Sequence, residues 1–202
     1  MQFADCVRSR KMVRAFRKAP VDAKLLDRIV DLASRAPSAG KTQGWHLLVL
    51  RDEQTAKFWE ISLPQEKRTS FRWRHLLDAP IIGLVFADPN AYLERYSESD
   101  KVKTKLGENL SSWPTPFWTV DASFATMQLL LATHDAGLGA LFFGVFNGEQ
   151  QLRVEFKVPE QMQLIGAVAI GWPLSEQATD RGASAKRARR KPNEIIHEQS
   201  FS

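Results

Sequence analysis

Cysteine is nearly absent from this chain: Cys6 is its one thiol. A lone cysteine closes no intrachain disulfide and builds no thiolate metal site. With no basic partner evident beside it, Cys6 reads as an inert packed thiol. The four histidines, His46, His75, His134 and His197, show no HxxxH or HxH spacing, and no serine sits in a GxSxG elbow, so metal-assisted and triad hydrolysis have no support. Long apolar runs are missing too. None approaches the roughly 18 uninterrupted apolar residues of a membrane span, and the amino terminus carries Asp5 and several arginines where a signal would have an apolar core. The chain is expected to be soluble and cytoplasmic, with no membrane partner.

Acid is what two basic stretches lack. Arg8, Arg10, Lys11, Arg14, Arg17 and Lys18 form one, and Arg181, Lys186, Arg187, Arg189, Arg190 and Lys191 the other. Together they more than account for the net charge of +5, so the basicity is confined to the two ends. Such blocks are commonly solvated tails, with a nucleic-acid or acidic-lipid patch as a second reading. A third is that they converge on one bound phosphate. The aromatic–basic interleaving of a strand-binding surface is not present, and no nucleic-acid partner is expected.

With 202 residues and 44% apolar content, the chain can bury one substantial core, and a single domain over 1–202 is expected. Residues 22–35 place Leu25, Leu26, Ile29, Val30, Leu32 and Ala33 at helical spacing behind Asp22 and before Pro37, an amphipathic helix. His46 to Leu50 and Ala79 to Ala87 read as buried strands. A charged and aromatic stretch between them, with Phe58, Trp59, Phe71 and Trp73, has room for one or two helices. Residues 88–113 turn polar, with few apolar anchors, and 88–118 is expected to be an excursion or lid over the substrate. Phe117 to Ala136 reads as a helix buried on most of its circumference and capped at Gly137. A glycine-bounded strand GLGALFFGV, a short helix over 149–156 and a strand LIGAVAIG ending at Gly171 follow, and 174–202 is a basic extension. Few, near-continuously apolar strands imply a sheet covered on both faces.

Four ordered segments resemble the FMN-dependent nitroreductase family: RKMVRAF (Arg10 to Phe16), APSAGKTQGW (Ala36 to Trp45), Asp121 with its apolar helix running into GLGALFFG, and IGWP leading to RRKPNEIIH (Ile170 to His197). No single string is specific; their order over most of the chain is. The resemblance implies an α+β three-layer sandwich, a mostly antiparallel central sheet flanked by helices, in an intertwined homodimer with FMN at the interface. It further implies hydride transfer from NAD(P)H through flavin N5 to a small electron-poor acceptor such as a nitroaromatic or quinone, in ping-pong order, with no catalytic side chain required. Reductive dehalogenation, flavin breakdown and deazaflavin-linked reduction occur in the same superfamily, and non-enzymatic FMN binding stays open.

By the same resemblance, Arg10 and Arg190 grip the FMN phosphate and ribityl chain, with Lys11 and Met12 beside Arg10 and with Arg187 and Arg189 as neighbours that could share the work. Such a dianion requires clustered cations or a helix amino terminus. Arg14 would set a cation at the pyrimidine edge of the flavin, where reduction places negative charge; on helical geometry it would share a face with Arg10. Pro37, Ser38 and Ala39 match the loop that reaches FMN across the dimer interface. Leu138 and Gly139 match positions whose backbone amides lie near N5, although GLG alone would read as a helix stop. Gln43 and Trp45 read as packing residues. Met12, Lys41 and Gly44 depart from the family's frequent serine, asparagine and proline, and Lys41 could meet flavin, substrate or solvent.

Overall fold

In the computed structural model, residues 1–175 and 187–201 are described. The chain opens with helix α1 (Phe3–Ser9) and runs extended to helix α2 (Ala23–Ala33), which Asp22 caps by accepting the Leu25 N–H at 3.1 Å. Strand β1 (Trp45–Arg51) leads into helices α3 (Glu53–Ser62) and α4 (Gln65–Arg68). Strand β2 (Ile81–Ala87) is followed by helix α5 (Pro89–Tyr96) and the long helix α6 (Phe117–Asp135). Strand β3 (Gly139–Phe143), helix α7 (Glu149–Glu155) and strand β4 (Gln163–Gly171) complete the core.

The four strands pair in the order β1-β2-β4-β3, every pairing antiparallel. Strand β2 is buried along its whole length, and its side chains alternate between two cores as a period of two requires. Ile82, Leu84 and Phe86 join Phe58 and Trp59 of α3 and Leu152 of α7. Ile81 and Val85 join Leu26, Ile29 and Ala33 of α2 and Leu129 and Leu130 of α6 on the opposite face. The result is helices, sheet, helices: the α+β three-layer sandwich with a mostly antiparallel sheet. Both faces are covered, as the apolar strands implied.

Three local expectations change. Helix α1 was not foreseen; at seven residues with only Cys6 buried, it carries too short a pattern to stand out. The run after it is not helical. Arg10 turns out of α1 with φ −55° and ψ 130°, Met12 bridges Ala140 in parallel, and the Val13 N–H bonds the Ala140 carbonyl at 2.9 Å. Arg10 and Arg14 therefore share no helical face; a strand-like period of two, with Met12 and Arg14 half-buried and Val13 and Ala15 buried, aligns them along one side instead. Within 88–118, the apolar anchors that the sequence seemed to lack are aromatic. Tyr92 is fully buried and Trp113 nearly so; the two pack edge-on with each other and with Trp118, and Trp113 also with Tyr96.

Helix α6 buries one side against the sheet and leaves Phe117, Phe124 and Met127 exposed on another. Their spacing of seven and three residues makes one stripe, which the described residues leave partly open to solvent. Among the described residues no helix is long and apolar enough to cross a membrane.

Candidate functional site

The extended run after α1 is seated on β3 by a glycine. A Cβ at Gly139 would stand 2.7 to 2.9 Å from the Val13 side chain, closer than carbon atoms approach, so only glycine lets the arginine-bearing segment lie against the strand. Leu138 has a different duty. Gly137, at φ +77°, ends α6 in the left-handed conformation, and the Leu138 N–H folds back onto the Thr133 carbonyl at 3.0 Å, a helix C-cap. With its side chain buried and its amide consumed, Leu138 has no donor left for a ligand. GLG thus stops α6 and admits Val13.

Arg10 holds two guanidinium nitrogens, Nε and Nη1, that are shut from solvent and have no hydrogen-bond partner among the described residues. Buried donors of this kind are costly to leave unmade, and a buried guanidinium is best satisfied by charge-assisted bonds to an anion. Lys11 follows it on the surface. Arg14 donates Nη1–H to the Met12 carbonyl at 3.2 Å and lies over the Trp73 ring, 5.3 Å from its centre. It is the cation in the wall of a cavity of about 330 Å³ otherwise lined by Trp59, Phe71, Trp73, Phe142 and Phe143, among others. Trp59 stacks on Phe143 within 6° of parallel at 5.7 Å, so the cavity has a rigid aromatic wall. Its volume is that of a small-molecule site, apolar with one fixed charge.

The loop carrying Pro37, Ser38 and Ala39 is built by two clamps. Asp121, buried in the first turns of α6, accepts the Ala39 N–H at 2.8 Å and the Tyr92 hydroxyl at 2.7 Å on one carboxylate oxygen. Burial first, and then the bond to Asp121, push the Tyr92 phenol above its ordinary pKa, so it stays a donor. On the other side Arg95 donates Nε–H to the Gly40 carbonyl at 2.8 Å and forks onto Asp100 at 2.7 and 2.9 Å. Ser38 Oγ accepts the Gln43 N–H at 3.0 Å. Lys41 and Gln43 are held at φ 57° and 56°, a left-handed strain in non-glycine residues that the clamps sustain. Pro37, Ser38, Lys41 and Gln43 line an open polar cavity of about 540 Å³ with Ser34 and Arg35.

Within one protomer the predicted residues thus fall into separate groups. Arg10, Met12, Arg14, Leu138 and Gly139 come together on β3. Pro37, Ser38 and Ala39 sit in another place, their cavity sharing no residue with the aromatic one. Arg187, Arg189 and Arg190 are exposed; Arg181 and Lys186 of the same basic block lie outside the described residues. Tyr92 and Arg95 escaped the sequence reading altogether, and Asp121 was visible only as the head of a motif. Its signal was a carboxylate opening an otherwise apolar helix.

The sequence profile of the nitroreductase family matches residues 7–172. The chain belongs to the nitroreductase family. A relative from Archaeoglobus fulgidus, whose name pairs NADH dehydrogenase with NAD(P)H nitroreductase, is 27% identical over 173 residues, which cover 84% of each chain. Iodotyrosine deiodinase 1 of Rattus norvegicus is 24% identical over 209 residues, 94% of this chain and 66% of that one. A protein of Exiguobacterium sibiricum solved in complex with FMN superposes with a TM-score of 0.71 at 17% identity, covering 98% of this chain and 97% of the other. Membership in the nitroreductase family makes this chain an oxidoreductase, and the fold match places its sheet and helices in the family's arrangement.

Proposed function

We propose that two copies of this chain bind FMN at their interface and reduce a small electron-poor acceptor at the expense of NAD(P)H. The observation that carries this reading is Arg10, whose two buried donors lack an acceptor and fit the phosphate of FMN. Three features support it. The Exiguobacterium neighbour of the same fold was solved with FMN. The Pro37–Ala39 loop and the arginine segment stand at separate cavities in one protomer, as an interface site requires. The exposed stripe of Phe117, Phe124 and Met127 on α6 is the surface a second copy would cover.

Bound FMN would take two electrons and a proton from NAD(P)H and return them to the acceptor. The protein's part is binding and electrostatics. Arg10 and Lys11 hold the phosphate, with Met12 beside them and Arg187, Arg189 and Arg190 of the carboxy-terminal arm as further cations. Arg14 keeps a fixed positive charge at the aromatic cavity, where negative charge on the reduced ring's pyrimidine edge is stabilised without reorganisation. Trp59, Trp73 and Phe143 exclude water from that wall. The clamped Pro37, Ser38 and Ala39 of the second copy close the site from the other side.

The purified protein is expected to be yellow and to bleach under NAD(P)H without oxygen. Arg10→Ala should bind FMN roughly 10- to 100-fold more weakly, the loss of charge-assisted bonds to one phosphate. A protein that purifies colourless and takes up no FMN overturns the reading. The deiodinase relative makes reductive dehalogenation the second reading. A nitroarene, a quinone and a halophenol offered to the bleached protein separate the two; faster reoxidation by the halophenol would favour the second.

A further inference from the structure

Ser9, the last residue of α1, and His134, near the end of α6, meet with Oγ and Nε2 2.7 Å apart. Ser9 Oγ also donates to the Asp5 carbonyl at 2.7 Å. A hydroxyl has one proton to give. With that proton on Asp5, the serine oxygen accepts from Nε2–H, so Nδ1 is the imidazole nitrogen that gains or loses a proton. The residues directly after Ser9 are Arg10, with its two unsatisfied buried nitrogens, and Lys11. Among the described residues three side-chain charges act on the ring. Arg10 and Lys11 come from the segment after α1, and Asp135 from α6, itself paired with the Met1 ammonium at 2.8 Å.

We propose that His134 is a proton-coupled member of the FMN phosphate site: docking of the dianionic phosphate on Arg10 reverses the field at the imidazole, which then takes a proton from solvent and returns it on release. No bond within FMN changes. The inference rests on the reading of Arg10 given above. In the free protein, burial first and then Arg10 hold the imidazole below its ordinary pKa, Asp135 pulls the other way, and Lys11 adds a smaller push. A phosphate on Arg10 cancels the cationic part of that push and adds an anion close by. FMN should therefore bind more tightly as pH falls through neutrality, the range in which a histidine switches. The phosphate's own titration, near pH 6, works the other way, because a monoanion binds cations less well. The sign of the pH dependence thus tells the two groups apart.

The decisive measurement is calorimetric titration of the full-length protein, stripped of flavin, with FMN at about pH 7.5 in two buffers of different ionisation enthalpy, with riboflavin as the phosphate-free control. Wild type is expected to take up protons with FMN and none with riboflavin, and His134→Gln to lose the uptake. Between about pH 8 and about pH 6 the wild-type affinity should rise, by at most about tenfold for each unit by which docking raises the imidazole pKa and less about twofold lost to the phosphate, while the variant's falls. Proton release by wild type, no exchange, or equal uptake by His134→Gln each overturn the proposal. Should the variant fail to fold, the wild-type sign decides alone. If FMN does not bind at all, the reading of the site fails first and this one falls with it.

Discussion

At the scale of single residues, the site owes more to what one glycine leaves out than to what the arginines add. Gly139 has no Cβ, and the space is taken by Val13. Val13 in turn fixes the register of Arg10, Met12 and Arg14 against β3. Gly139→Ala is expected to lower stability by about 1 to 3 kcal/mol through overpacking against a buried β-branched neighbour, read from urea denaturation. A change under about 0.5 kcal/mol, the range of unconstrained surface substitutions, would show that the segment can shift and that the seat is not set here. The sequence displayed these residues without their roles. GLG was visible as a motif, yet nothing in three letters says that Leu138 spends its amide on Thr133, because that bond depends on where α6 stops. Arg10 could be singled out by its place in RKMVRAF, but its unsatisfied nitrogens exist only once the fold buries them.

At the scale of elements, legibility followed pattern length. Helix α2 was expected over 22–35 and spans Ala23–Ala33; α6 was expected to Ala136 and ends at Asp135. Both carry several turns of consistent spacing. The elements that were missed, α1 and α5, have seven and eight residues, and α5 hid in a polar stretch because its anchors are Tyr92 and Tyr96, half polar by composition. That stretch turns out to hold the Pro37–Ala39 loop through Arg95, and the hold is sensitive to acid. The Arg95 bond keeps the Asp100 carboxyl below its ordinary 3.8. A depressed folded-state pKa means a contribution fully present above 3.8 and lost as pH falls below it. Asp100 is exposed and the pair lies at the surface, so global stability should hardly register the change. Local exchange at the Gly40 loop should: amide exchange there, corrected for the intrinsic rate, is expected to speed up below about pH 3.8 in wild type, and an Asp100→Asn variant should show the fast rate at neutral pH. Equal rates in the two proteins would exclude the clamp.

At the scale of the whole molecule, cover on both faces followed from the apolar strands, and the antiparallel pairing from family resemblance, since near-continuously apolar strands by themselves favour a parallel sheet. What one chain could not reveal is the side of α6 that it leaves bare. Apolar residues all round a helix signal burial without saying against what. Phe124, 47% exposed in the protomer, gives the test. Phe124→Lys should leave the protomer folded, since the lysine can extend into the solvent that the phenyl ring half meets, and raise the dissociation constant of the proposed homodimer by roughly a hundredfold, about 2 to 3 kcal/mol, as sedimentation equilibrium would show. An unchanged assembly would place the interface elsewhere.

The two separate cavities of one protomer carry a consequence for how such a protein keeps its colour. If each flavin is gripped by the arginines of one copy and roofed by the loop of the other, then cofactor and subunits hold one another by mass action. Dilution alone would release flavin, adding free FMN would draw the subunits back together, and the yellow of a preparation would report how much protein is in the tube as well as how much is intact.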